Sequence, residues 1–414
     1  MENTPTIFVA ANYRLGRWDF HVETTLDGKP MLDLWLKKHI ASFGGDPSKV
    51  TVFGESAGAR AIEVLLLSGK IQGLARGAIM ESTVGRSHIS PTSSTANTVW
   101  DDFMTALPQC ANTSMTDVQC IRHLNTSELI EGFNNGRLFF NTSRPNWLPT
   151  LDDDIIPGFP STLKPDHGVL EAVIVGCNQD EATLFTDQSV NSTQAISDMI
   201  LGSPPSTPNA SPSQRKAQLQ ELQYILDETL ALYPNISSLG SPFNTGNETF
   251  GLDPEYKRTA AAATDMGFHA ERRFHINHQL IPAGISTFSY VFTDPDAVPV
   301  QDFVTGTPVP GSLGVLLKVT HSSEIFYVFG TLAERPEVKQ VTLTAAKLSD
   351  MMMDYWISFA NTLNPNDGKG STRPNWPEYT GNRQLNGHNT TTIKDDFRER
   401  QIAFFNRDPA VFGH

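Results

Sequence analysis

The stretch Lys49-Val-Thr-Val-Phe-Gly-Glu-Ser-Ala-Gly-Ala59 constrains the fold more than any other, because it sets Ser56 where an apolar strand must turn into a helix. Val50, Val52 and Phe53 supply the strand, and Ala57 to Leu67 reads as the helix. A bare Gly-x-Ser-x-Gly recurs by chance in many chains. With a strand before it and a helix after it, the same five residues read as a nucleophile elbow. Such a turn strains the serine backbone, so that side chains at Gly54 and Gly58 are expected to be excluded. It also projects the hydroxyl from the sheet and aims a helix N-terminus at the reacting atom.

The rest of the chain alternates between strand and helix patterns. Thr6-Ile-Phe-Val-Ala-Ala11 is a continuous apolar run suited to a central strand buried on both faces. Helical spacing runs from Leu32 to Ile40, and Phe43-Gly-Gly-Asp-Pro47 breaks it before the elbow. Gly77 to Met80, Ala172 to Gly176 and Thr287 to Phe292 read as further strands. Ser213 to Tyr233, Tyr256 to Leu280 and Val341 to Leu363 read as helices. From Asn191 to Phe250 the composition shifts to Ser, Pro, Asn and Gly, with no clear strand. The expectation is an α/β fold, a mostly parallel sheet flanked by helices, in a single domain over 1–414 with a helical, loop-rich excursion around 191–285.

Charge and composition narrow the partners. A formal net charge of -14 lacks the basic face that nucleic acid or an anionic membrane requires. The longest apolar runs fall far short of the roughly 20 residues that span a bilayer, so no transmembrane segment is expected. Met1-Glu-Asn-Thr-Pro has neither the basic start nor the apolar centre of a secretory signal. The interior nevertheless looks secreted, with Asn-x-Ser/Thr sequons at Asn112, Asn125, Asn141, Asn191, Asn209, Asn235, Asn247 and Asn389. Cys110 and Cys120 bracket a short polar loop that a disulfide could close, leaving Cys177 unpaired; three reduced thiols are the alternative.

A serine hydroxyl is a weak nucleophile near neutral pH, so the elbow needs a histidine to take its proton and a carboxylate to orient that histidine. In elbow enzymes the chain order is serine, acid, histidine, each beyond a strand end. Glu181, in Gly-Cys-Asn-Gln-Asp-Glu-Ala-Thr-Leu-Phe185, and His321, opening His-Ser-Ser-Glu-Ile-Phe-Tyr-Val-Phe-Gly330, fit that order. Asp180 adjoins Glu181, and the chain holds 11 histidines, so order alone leaves rivals. His275 and His278 share a predicted helix with His269, but no Glu or Cys cluster completes a ligand set, and no metal is expected.

These residues carry a resemblance to the type-B carboxylesterase/lipase family, which includes cholinesterases and fungal secreted esterases and lipases. It rests on Asn12-Tyr-Arg-Leu-Gly16, Phe43-Gly-Gly-Asp-Pro47, Val52-Phe-Gly-Glu-Ser-Ala-Gly58, Gly77-Ala-Ile-Met80 and the two motifs just quoted. Phe359-Ala-Asn-Thr-Leu-Asn-Pro365 and Asn375-Trp-Pro-Glu-Tyr379 resemble the family's C-terminal signature. The resemblance implies an α/β-hydrolase fold and hydrolysis of a small-molecule or lipid ester without a cofactor. Ser56 would be the nucleophile, His321 the base, Glu181 the orienting acid and Glu55 an acidic neighbour of the imidazolium. It also implies a Cys110–Cys120 bridge and an extracellular location.

The chain departs from the family pattern in two places. The family has a long segment before its Asn-Tyr-Arg-Leu-Gly, bearing the first strands of the sheet and a His-Gly-Gly-Gly run that supplies oxyanion-hole amides. Here Asn12 follows eleven residues with no such run. The expectation is a sheet without its first strands, Ala57 as the remaining oxyanion donor, and either weak turnover or a binding role without turnover. The second departure is a shortened helix between Phe20 and Ile40.

Overall fold

The computed structural model describes residues 5–10, 36–83, 100–111, 113–135, 151, 154–201, 212–297, 318–334, 341–380, 383–386 and 390–412. The chain divides into two compact units, one formed by 1–8, 33–86 and 160–414, the other by 9–32 and 87–159.

The first unit is built on strands β1 (Thr51–Glu55), β2 (Gly77–Glu81), β3 (Ala172–Asn178), β4 (Ser286–Phe292), β5 (Arg383–Asn386) and β6 (Thr391–Lys394). They pair in chain order, parallel from β1 to β5, with β6 antiparallel to β5. Successive residues of β3 serve opposite faces, as a strand period of two requires. Ala172 and Ile174 join the cluster of Phe288, Tyr355, Trp356 and Phe359, while Val173 and Val175 pack with Ile62, Leu66, Ile276 and Leu280. Burial on both faces explains the continuous apolar reading of Ala-Val-Ile-Val, since a parallel sheet covered on two sides has no polar face to show.

Helix α1 (Ala57–Leu67) covers one face and α9 (Leu343–Thr362) the other. Between β3 and β4 the chain is helical, as α4 (Gln194–Leu201), α5 (Pro212–Leu232), α6 (Pro254–Thr264) and α7 (Ala270–His275). The predicted helix from Tyr256 to Leu280 is interrupted twice, by π turns at Asp265–His269 and Ile276–Leu280. A short helix α8 (Ile325–Val328) follows His321, and α10 (Glu399–Asn406) follows the β5–β6 hairpin. No described helix is long and apolar enough to cross a membrane.

The expected strand at the start of the chain is corrected. Residues 5–10 are irregular and exposed. The Phe8 ring rests on Phe53 and Phe329, at centroid distances of 5.8 and 5.7 Å, and no ladder to β1 forms. An apolar run supplies the burial pattern of a strand, but a strand also needs backbone partners, and 5–10 have none in a sheet. Leu36 to His39 is helical as expected, and Gly44, at φ 83°, ends the following turn; Ala11 and 32–35 lie outside the described residues.

The second unit carries α2 (Asp117–His123) and α3 (Thr126–Asn135). Thr116 and Gln119 form a capping box that starts α2. Cys110 and Cys120 are disulfide-bonded with Cα atoms 5.7 Å apart, and Cys177, in the first unit, is a buried free thiol. The bridge borders a small core of Trp100, Phe103 and Leu107. Among the sequon asparagines, Asn125, Asn191, Asn235 and Asn247 are exposed, while Asn112, Asn141, Asn209 and Asn389 lie outside the described residues.

Candidate active site

Ser56 sits between β1 and α1 with φ 56° and ψ −116°, a region that L-residues occupy only under constraint. The constraint comes from both sides of the turn. Its N–H donates to Glu81 O at 2.9 Å in the neighbouring strand, and its carbonyl accepts from Arg60 N at 2.9 Å in the first turn of α1. A Cβ at Gly54 would lie 2.6 Å from the Gly58 carbonyl carbon, so the return of the helix over the strand requires that glycine. The expectation for Gly58 is corrected, since among the described residues a Cβ there meets nothing within 4 Å.

Glu181 opens a 3-10 turn just beyond β3. Its Oε2 lies 2.6 Å from His321 Nδ1, and its Oε1 accepts from Asn178 N at 2.6 Å. Asp180 turns the other way, accepting from Ser241 Oγ at 2.8 Å and Phe243 N at 2.7 Å. Burial pushes the Asp180 carboxyl up to about 6 against those hydrogen bonds. The loops bearing the acid and the histidine are laced together by Asp180 N to Val319 O at 3.0 Å, Asn178 Nδ2 to Thr320 O at 2.8 Å and Thr183 Oγ1 to Thr320 Oγ1 at 2.9 Å.

His321 is buried, with its ring against Phe185 and Phe268 at centroid distances of 5.1 and 5.2 Å. No hydrogen bond joins its Nε2 to Ser56. That nitrogen lies 3.2 Å from Glu55 Oε1, and Glu55 also accepts from Ser322 Oγ at 2.5 Å. Burial alone would lower the imidazole pKa, but Glu55 and Glu181 overcome it and push it up to about 9. The structure thus brings Glu181, His321 and Glu55 into contact and leaves the serine hydroxyl outside that chain of contacts. Ala57 is the first residue of α1, where backbone amides have no partner within the helix.

Sequence reasoning missed two further acids here, Glu81 on β2 and Glu324 beside α8. Glu81 Oε1 accepts from Trp356 Nε1 at 2.6 Å, and Glu324 Oε2 accepts from Asn178 Nδ2 at 2.5 Å. The available signal was Glu81 itself, an acid closing an otherwise apolar, fully buried strand. The three histidines weighed as ligands are held otherwise. His275 Nδ1 meets Gln279 Oε1 at 2.5 Å, and the His278 ring lies 4.8 Å from that of Phe274. Burial and the nearby Arg398, Arg272 and Arg273 hold His269 well below the ordinary histidine range. Among the described residues no group of His, Cys, Asp and Glu is arranged to hold a metal ion.

A model of the carboxylesterase family matches residues 1–405. The chain belongs to the carboxylesterase family. This carboxylesterase-family chain is 29% identical to a secreted triacylglycerol lipase, LIP1, of Gibberella zeae, over 97% of its own length and 66% of that protein's. It is 31% identical to secreted lipase 1 of Botryotinia fuckeliana, over 93% of its length and 63% of the relative's. It therefore spans about two thirds of these relatives. The crystal structure of EstA from Aspergillus niger superposes with a TM-score of 0.67 at 21% identity, covering 92% of this chain and 68% of that one. The fold is that of the α/β-hydrolases.

Buried charges at the site and elsewhere in the first unit give this family member a pH dependence of stability. His321 holds its proton more tightly folded than unfolded, so its contribution is complete below about 6.5 and lost as pH rises through about 9. Burial pushes both Glu81 and Glu271 up to about 8, so each loses stability as pH rises from about 4.5 to 8. On the acid side, His269 is held neutral and costs stability as pH falls below about 6.5, while Asp395, held low by Arg272 and Arg273 against its burial, costs stability near its ordinary range. The melting temperature is expected to peak at or below about pH 5 and to fall steadily toward pH 9. Thermal unfolding across that range checks it; a flat or rising alkaline limb would contradict the assignment.

Proposed function

We propose that the protein is a carboxylic ester hydrolase that works through an acyl-enzyme on Ser56. The observation that carries this reading is the 2.6 Å contact between His321 Nδ1 and Glu181 Oε2, in a chain whose serine stands on a strained strand-to-helix turn. His321 takes the Ser56 proton as the hydroxyl attacks the ester carbonyl, then returns it to the departing alcohol. Water activated by the same imidazole releases the acid. Glu181 fixes the tautomer that leaves Nε2 free to act as base. The Ala57 amide, at the N-terminus of α1, donates to the oxyanion. Relatives named as lipases favour a lipid or small-molecule ester as substrate. Relatives named as secreted, together with the Cys110–Cys120 disulfide, favour an extracellular location.

A second reading, a binding member of the family without turnover, draws on one specific observation. His321 Nε2 faces Glu55 and makes no hydrogen bond to Ser56. The two readings separate in one experiment. Exposure to a serine-directed fluorophosphonate followed by peptide mass spectrometry is expected to mark Ser56, and a short chromogenic ester is expected to turn over in parallel. An unlabelled Ser56 in folded protein would favour the binding reading and sink the hydrolase.

A further inference from the structure

The sheet register aligns an unusual row beneath the site. Glu55, Glu81, Gly176 and Tyr290 are successive register partners across β1 to β4, so they share one face. That face is the α9 face, because Ile79, two residues before Glu81, packs there with Trp356. Gly176 contributes no side chain, and the Tyr290 ring fills its place, since a Cβ at Gly176 would lie 2.0 Å from that ring. The Tyr290 hydroxyl is buried without a hydrogen bond, and its ring lies 5.5 Å from that of Trp356. Glu324 closes the group from the histidine loop, 3.3 Å from Ser82 Oγ.

The groups facing Glu81 are therefore Glu55 from β1, Tyr290 from β4, Glu324 from the His321 loop and the uncharged indole of Trp356 from α9. Glu55 in turn faces His321, which Glu181 contacts on its other side. Glu55 and Glu181 touch the imidazole, and Glu81 and Glu324 lie buried in the same group of carboxyls; so many closely spaced negative charges cannot coexist without strong mutual repulsion. Glu55 has His321 and the Ser322 hydroxyl to stabilise its anion, although burial pushes its pKa up. Among the described residues, Glu81 has the indole N–H as its hydrogen-bond donor.

We propose that Glu81 is a positioning residue for the esterase reaction, the neutral carboxyl of the row, whose proton leaves the negative charge to the carboxyls that touch His321. The proposal rests on the hydrolase reading for its mechanistic meaning. Desolvation, with repulsion from Glu55, pushes Glu81 up to about 8 against the Trp356 hydrogen bond. Once Glu81 ionises, the added negative charge holds the proton on His321 and delays the appearance of the free base at alkaline pH. Below that range a neutral glutamine should mimic it, because its amide oxygen can still accept from Trp356 Nε1.

The test compares the wild-type protein with Glu81→Gln by proton NMR of the His321 ring between pH 6 and 10, alongside the rate of fluorophosphonate labelling at Ser56. The His321 midpoint is expected to fall by about half a pH unit or more in the variant, the scale of one unit charge removed from a buried cluster. Labelling rates should agree below pH 7 and diverge above pH 8, the variant being faster. Coincident His321 midpoints would overturn the proposal. Absence of labelling in both proteins would count against the hydrolase reading instead, and leaves the NMR comparison decisive for Glu81. Should Glu81→Gln fail to fold, the indole absorbance difference between the wild-type protein and Trp356→Phe provides a second reading of the same carboxyl. It is expected to titrate near pH 8, and a difference that stays constant from pH 6 to 9 would also overturn the proposal.

Discussion

Replacing Ser56 or His321 with alanine is expected to lower ester turnover by about 10⁴–10⁶-fold per folded molecule, and replacing both should cost little more than either alone. On the proposed mechanism the two side chains act in one step, so removing either would remove the same covalent route. Glu181→Gln should lose about 10⁴-fold, because a glutamine amide beside Nδ1 favours the tautomer with its proton on the wrong nitrogen. Asp180→Asn supplies the contrast. Its carboxyl bonds to Ser241 and Phe243 rather than to the imidazole, so its loss should register in stability and leave turnover within about tenfold. Steady-state kinetics on a chromogenic ester, normalised to folded protein, separates the neighbours. Comparable losses at Asp180 and Glu181 would remove the assignment of the orienting acid. Glu55→Gln adds a different signature. It removes the carboxylate that faces His321 Nε2, so the free base should appear at lower pH while the Glu181 contact persists.

The parts of this site that the sequence displayed are those encoded locally. The elbow needs only a few contiguous residues, and the apolar strand before Ser56, with the helical pattern after it, carries its own context. Glu181 was separable from Asp180 only through a family motif, because adjacent carboxylates differ in direction and not in type. Two features depend on contacts that no local stretch announces. The carboxyl row depends on register between strands far apart in the chain, and Glu81 comes beside Glu55 only once β1 and β2 pair. The orientation of His321 toward Glu55 depends on the backbone of the loop at Val319 to Ser322, with Ser322 at φ 64°. The same limit applies to the fold. A period of 3.6 announced a helix from Tyr256 to Leu280, but π turns add a residue per turn without changing composition. The β5–β6 hairpin escaped notice because Arg-Gln-Leu-Asn and Thr-Thr-Ile-Lys lack an apolar alternation, and β5 meets β4 at only Leu385 and Asn386.

That unannounced hairpin leads to the largest stability effect the structure implies. Asp395, immediately after β6, is fully buried at its side chain and takes Arg272 Nη2 at 2.7 Å and Arg273 Nε at 2.9 Å on one oxygen. Its other oxygen accepts from Tyr379 Oη at 2.9 Å. Arg272 also reaches Ser289 Oγ on β4 at 2.8 Å, and Arg273 donates to Phe397 O at 2.8 Å while lying over the Phe397 ring. One carboxylate thus ties the C-terminal hairpin to α7 and to the central sheet. Asp395→Ala should destabilise by about 3–5 kcal/mol, because it leaves two buried guanidinium groups without their anion. Most of that cost comes from stranding the arginines rather than from the worth of the pair. Replacing Arg272, Arg273 and Asp395 together with apolar residues of similar volume should therefore recover much of the loss. Urea unfolding monitored by tryptophan fluorescence measures both variants. A triple variant no more stable than Asp395→Ala would show that the ion cluster is itself a net stabiliser, and that packing alone cannot hold the hairpin on α7.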